Sequence, residues 1–154
     1  MKVETVFEGL MLEEARALFH EYGSSLTIDL SFQGFARELA SLPGEYVAPH
    51  GTLLLGRSGG AAAGCVAVRP WKDGACEMKR LYVRDSFKGH GVGRVLAEHA
   101  IEWAHRAGYE RMLLDTLPSM AAAQRLYGDL GFREIAPYRF NPVAGTRYME
   151  LRLE

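Results

Sequence analysis

The sequence predicts a mixed α/β fold (α+β) with about seven strands in one central sheet and about four helices. Three observations lead there. Residues 52–83 hold three apolar or alternating segments separated by the short turns "SGG" and "WKDG", the pattern of an antiparallel meander. Residues 92–106 change to a helical period. The run "RMLLDTL" at 111–117 then reads as a strand covered on both faces, and a helix-length connection between neighbouring strands implies that they run parallel.

In chain order, "KVETVFE" alternates like a strand, and "MLEEARALFHEYG" carries Leu12, Ala15, Leu18 and Phe19 at helical spacing before Gly23 ends it. A second helix is expected over "SFQGFARELASL", with Ser31 as N-cap and Phe35, Leu39 and Leu42 on one stripe. "PGEYVAPHG" is loop by its prolines and glycines. Three strands follow: "TLLLGR", "AAAGCVAVRP" and "CEMKRLYV". Helix 92–106 sets Val92, Leu96, Ala100 and Trp103 against Arg94, Glu98, Glu102 and Arg106, and Gly108 stops it. Ser119 is the expected cap of "MAAAQRLYGDL", Gly131 its stop, and "FREIAPYRF" and "TRYMELRL" supply the last two strands, the latter an edge open to dimer pairing.

Composition narrows the functional classes. The 154 residues, 48% of them hydrophobic, suffice for one domain spanning 1–154 without disulfide or metal staples. The net charge of −1 provides no overall basic field for nucleic acid or membrane surfaces. No window approaches the roughly 18 apolar residues of a membrane span, and the acidic N-terminal stretch lacks a signal-peptide core, so a cytoplasmic location is expected. Folding the hairpin about "WKDG" leaves Cys65 and Cys76 about four residues out of register, roughly 13 Å apart along the strand, too far for a disulfide. With no CxxC pair or histidine cluster, no metal is expected.

The most informative stretch is "FKGHGVGRVL". Its three glycines lie between the strand ending at Val83 and the next helix, where open α/β sheets bind ligands. Free amides at a helix N-terminus attract anions, and absent β-carbons let phosphate oxygens approach. The spacing fails the dinucleotide fingerprint, because Arg94 stands where a third glycine is needed, and fails the P-loop, because Lys88 precedes the glycines. What remains, Lys88-x-x-Gly91-x-Gly93, resembles the arginine/glutamine-x-x-glycine-x-glycine/alanine signature of the GCN5-related N-acetyltransferases, the GNAT family. "CEMKRLYVRDSFKGHGVGRVL", "AGYERMLLDT" and "AAAQRLYGDLGF" reproduce in order that family's fourth strand, third helix, fifth strand and fourth helix.

The resemblance implies a three-layer fold whose sheet splays between the fourth and fifth strands, and acetyl-CoA as cosubstrate with no metal. It implies that Leu81, Tyr82 and Val83 offer main-chain groups to the pantetheine arm, and that Lys88, Gly89, His90, Gly91, Val92, Gly93 and Arg94 hold the pyrophosphate. The asparagine frequent at the start of the family's fourth helix is replaced here by Met120. Tyr127 matches the tyrosine facing the cofactor sulfur, where a phenol can protonate a thiolate of pKa about 8.5 as it leaves. Glu77 stands where some members carry a catalytic glutamate, with Asp115 as a second candidate base. Continued alternation would put Glu77, Lys79 and Leu81 on one face of the strand.

The implied acceptor regions, 20–50 and 137–147, hold Tyr46, Tyr138 and Asn141, and their aromatic and charged residues suit a small polar amine. A protein amine, or a CoA-binding module without turnover, are the other readings. No nucleic-acid or membrane partner is expected, and a homodimer is possible.

Overall fold

The computed structural model describes residues 1–26, 29–30 and 34–153. One sheet of seven strands has the order β1-β2-β3-β4-β5-β7-β6: β1 Lys2–Thr5, β2 Thr52–Ser58, β3 Ala61–Pro70, β4 Ala75–Val83, β5 Arg111–Thr116, β6 Arg133–Ile135 and β7 Arg147–Arg152. The helices are α1 Gly9–Ser25, α2 Phe35–Ser41, α3 Val92–Arg106 and α4 Ala121–Asp129. The expected meander is present, each neighbour antiparallel through β4. Cys76 pairs with Pro70 and Cys65 with Tyr82, so both thiols stay free and buried.

Two apolar layers cover the sheet. Leu96, Ala97, Ala100 and Ala104 of α3 bury against Val66, Val68, Met78, Met112 and Leu114, while Ala15, Leu18 and Phe19 of α1 bury against Leu53, Leu55, Cys65 and Ala67 on the opposite face. The α3 seat depends on two glycines. A β-carbon at Gly56 would lie 3.3 Å from Leu96 Cδ2, and one at Gly64 would lie 2.5 Å from the Tyr82 carbonyl oxygen. Close approach of helix and sheet in turn brings the α3 N-terminus beside Val83, since a β-carbon on Gly93 would be 3.5 Å from Val83 Cγ2.

Among the described residues the one parallel pair is β4 with β5, as the connection length implies, and it is short: Ala75, Cys76 and Glu77 pair with Arg111, Met112 and Leu113. Beyond Glu77 and Leu113 the strands part, and this is the splay. On the other side of β4 the register with β3 slips, since Cys65 faces Tyr82 but Ala67 faces Lys79, so β4 carries one extra residue. Arg80 is that bulge, with φ of 60° in the left-handed region that non-glycine residues rarely enter. The bulge corrects the expected alternation. Cys76 and Met78 face α3, as do Leu81 and Val83, whereas Glu77, Lys79 and Tyr82 turn toward the α1 layer.

Other expectations change at element ends. Helix α1 runs through Gly23 to Ser25. The Ser31 cap lies outside the described residues. Met120, not Ser119, is the N-cap of α4 and makes no side-chain capping bond. Strand β6 keeps only three residues of "FREIAPYRF", because Pro137 cannot donate to a ladder and the chain turns away to cross the sheet end. β7 is not an edge: it pairs with β5 on one side and β6 on the other, which removes it as the open strand for dimerisation. Among the described residues no helix is long and apolar enough to cross a membrane.

Candidate active site

The splay opens a cleft between β4 and β5, walled by Lys79, Arg80 and Leu81 on one side and Asp115, Thr116 and Leu117 on the other. Tyr22 of α1, Tyr127 of α4, Met120 and Asn141 close it. A second groove runs from Leu81, Tyr82 and Val83 over Lys88, Gly89, Gly91, Val92 and Gly93 to the start of α4. Tyr22, Leu81 and Met120 line both. Groove and cleft are therefore two arms of one passage, meeting where β4 leaves β5.

The groove has the donors an anion needs. Gly91 is the N-cap of α3 at φ 80° and, lacking a side chain, caps nothing, while the first turn of α3 contains no acidic residue. The leading amides and the positive end of the helix dipole thus face the groove without an internal counter-charge. Gly89 also has positive φ, at 81°, and a β-carbon on either glycine would meet nothing within 4 Å. Their requirement is conformational. Lys88 lines the groove with its side chain mostly exposed and paired to Asp85 at 2.8 Å. His90 and Arg94 do not line it; Arg94 lies near Glu98 and Asp129 at 3.9 and 3.8 Å.

Tyr127 is buried, its ring tilted against Phe132 at 5.7 Å between centroids. Burial drives its phenol upward from the ordinary value, so it keeps its proton at neutral pH. It lines the cleft just beyond the junction.

Glu77 is fully buried but is not among the residues lining the cleft. Its carboxylate accepts from Arg69 Nε at 2.8 Å, Arg139 Nη1 at 2.9 and 3.1 Å, and the Tyr138 hydroxyl at 2.5 Å. Burial would raise its pKa, yet the charges of Lys79, Arg69 and Arg139 and the Tyr138 bond outweigh that and hold it below the ordinary carboxylate value. The Tyr138 ring lies edge-on to Trp71 and Tyr148, at 5.4 and 5.7 Å, so this residue too is outside the cleft lining.

Asn141 does reach the cleft. Its Nδ2 donates to Asp115 Oδ2 at 3.1 Å, and its Oδ1 accepts from the Val143 amide at 3.0 Å. Tyr46, expected to line the acceptor site, is buried in the α1 layer with its ring edge-on to Phe19 at 6.0 Å and is not among the residues lining the cleft. The pattern of the sequence assigns no role to Lys79 or Arg80. Arg80 binds Glu38 of α2 in a fork at 2.8 and 3.0 Å and stacks over Phe35 at 5.0 Å. Their signal is the presence of three charged residues, Glu77, Lys79 and Arg80, inside an otherwise apolar strand.

Residues 12–132 match the model of the acetyltransferase (GNAT) family. An uncharacterized N-acetyltransferase of Schizosaccharomyces pombe is 41% identical over 92% of this chain and 88% of its own. A solved acetyltransferase from Streptococcus agalactiae superposes with a TM-score of 0.79 at 18% identity, over 99% of this chain and 98% of that one. A putative acetyltransferase from Salmonella typhimurium, solved with its cofactor acetyl-CoA, superposes with a TM-score of 0.67 at 22% identity, over 99% and 94%. At these identities the two structures speak for the fold alone.

Proposed function

The chain belongs to the acetyltransferase (GNAT) family of acyltransferases, and from that premise we propose that it transfers an acetyl group from acetyl-CoA to the primary amine of a small polar metabolite, by direct attack in a ternary complex. The observation carrying this reading is the shared lining of groove and cleft by Tyr22, Leu81 and Met120. A cofactor laid along the groove would present its thioester at the junction, and an acceptor would meet it from the cleft.

The donor set fits acetyl-CoA. The uncapped amides of α3 and Lys88 suit a pyrophosphate, and the main chain of Leu81 to Val83, freed by the splay, suits an extended amide arm. Acetyl-CoA supplies the activated acyl group. Tyr127, proton-bearing and beside the junction, donates to the departing sulfur. Glu77 organises rather than accepts a proton: with two arginines and Tyr138 on its oxygens, it ties the β6–β7 connection to β4 and fixes that wall of the cleft. Asp115 and Asn141 offer the acceptor an anion and an amide, while Lys79 and Arg80 line the opposite wall. That polar lining, around a cavity of about 30 Å³, supports an acceptor whose inserted end is small and polar.

The test is melting with saturating acetyl-CoA, CoA, ATP or NAD, followed by thiol release across a panel of amino acids, polyamines and peptides. Protection by the CoA species and release with a small amine are expected. Protection without release from any amine would leave a CoA-binding module, and release with peptides alone would move the acceptor to protein amines.

A further inference from the structure

Resting on the acetyltransferase reading, we propose that Lys79 is the base that removes the proton from the acceptor's ammonium group before the amine attacks the thioester.

An ammonium has no lone pair, so a group in the cleft must take its proton. Glu77 is outside the cleft and fully engaged by donors. Asp115 is in it, accepting from Asn141, and is suited to draw a cation inward. Lys79 lies on the facing strand, in the same cleft as Tyr127, and is 4% exposed. The bulge at Arg80 contributes to its setting: it breaks the β4 register immediately after Lys79, where the strand has already left β5.

Among the described residues, the groups around it include Glu77 and Arg80 from β4, Asp115 from β5, Arg139 from the β6–β7 connection, Tyr22 from α1 and Tyr127 from α4. Burial is the largest influence and favours the neutral amine; Arg80 and Arg139 act in the same sense, while Glu77 and Asp115 oppose them. The outcome is a lysine lowered to about 8. A fraction of it is neutral near pH 7.5, and such a lysine exchanges protons in the working range.

The step balances. The acceptor's R–NH3+ gives one proton to the neutral Lys79 amine, leaving R–NH2 and the Lys79 ammonium. The nitrogen lone pair forms the C–N bond to the acetyl carbon, and the C–S bond breaks with its electron pair on sulfur. Tyr127 protonates that sulfur and recovers a proton from the new amide nitrogen. Lys79 returns its proton to water, so the sum is R–NH3+ plus thioester giving amide, thiol and H+.

The experiment compares wild type with Lys79→Arg and Lys79→Met, measuring kcat and kcat/KM from pH 6 to 9.5 with an alkyl amine from the panel, and with an O-alkyl hydroxylamine that is already neutral at pH 7. Melting with acetyl-CoA verifies that each variant is folded and loaded. Wild-type kcat/KM is expected to rise through an ionisation near 8. Both variants should lose about 100-fold or more in kcat with the alkyl amine, as removal of a positioned acid or base typically costs, and less than tenfold with the hydroxylamine. Activity of Lys79→Arg within a few-fold of wild type would make the residue a charge anchor and overturn the assignment. An equal loss with both acceptors would make its role structural and would overturn the assignment as well. If either variant does not fold, the wild type decides alone: a pH limb near 8 that persists with the hydroxylamine overturns the proposal. Absence of turnover by the wild type with every amine would instead overturn the acetyltransferase reading, and this assignment with it.

Discussion

The Tyr138 hydroxyl donates to Glu77 Oε2 at 2.5 Å across 61 positions of sequence. That bond, with the Arg69 and Arg139 pairs, fastens a loop without regular structure to a strand buried at the middle of the sheet. Replacing Glu77 by Gln removes the charge that compensates both guanidinium groups. Breaking a buried pair by removing one partner costs on the order of 3–5 kcal/mol; because Arg69 and Arg139 keep side-chain exposures of 19% and 17%, the lower end, about 3 kcal/mol, is expected here. Calorimetry should register this as a drop of roughly 6–12 °C.

The same variant carries a pH signature. The folded pKa of Glu77 lies below its ordinary value, so its contribution is present above the unfolded carboxyl pKa of about 4.3 and is lost as pH falls through the lower folded value. The stability gap between wild type and Glu77→Gln should therefore be constant near neutrality and close in acid. A gap that widened in acid would contradict the direction assigned to this group.

Tyr127→Phe removes only a hydroxyl from a residue packed against Phe132. Acetyl-CoA protection should survive, while thiol release falls by about 100-fold, the low end for a positioned proton donor. An unchanged rate would take the proton-donor role away from Tyr127.

Two glycines of the same loop should behave oppositely in the absence of ligand. Gly91→Ala forces a side chain into φ 80° and should cost about 1 kcal/mol. Gly93 lies within α3, where a β-carbon would meet Val83 and Leu126 at ordinary contact distances of 3.5 and 3.7 Å. Gly93→Ala should leave the free protein as stable or up to about 1 kcal/mol more so, yet weaken protection by acetyl-CoA, because its small size is needed only when the groove is filled. Retained protection would show that the groove ligand does not approach this position.

Much of this molecule is legible from pattern. Helix α3 has the bounds that its amphipathic period and Gly108 dictate, and the meander and the parallel step follow from turn spacing and connection length. What is not legible depends on long-range pairing. No local signal shows that β7 inserts between β5 and β6, since an interior and an edge strand of this length alternate alike. Tyr46 sits in a segment rich in proline and glycine whose composition says loop and is silent about the Phe19 ring that it meets edge-on. Lys79 and Arg80 are readable as oddities of a buried strand, but the charges that reach them from elsewhere, Asp115 and Arg139 at Lys79 and Glu38 at Arg80, lie on elements far away in sequence.

The extra residue at Arg80 has a consequence for how β4 tolerates mutation. Up to Lys79, even-numbered positions point into the α3 core; from Leu81 on, odd-numbered ones do. A saturation scan of the strand should show a two-residue rhythm of sensitivity whose phase inverts at position 80. Deleting that single residue should keep Leu81 and Val83 in the core and on the groove they line, because alternation then runs unbroken from Lys79 to Leu81, and its cost should be the lost Arg80 fork to Glu38.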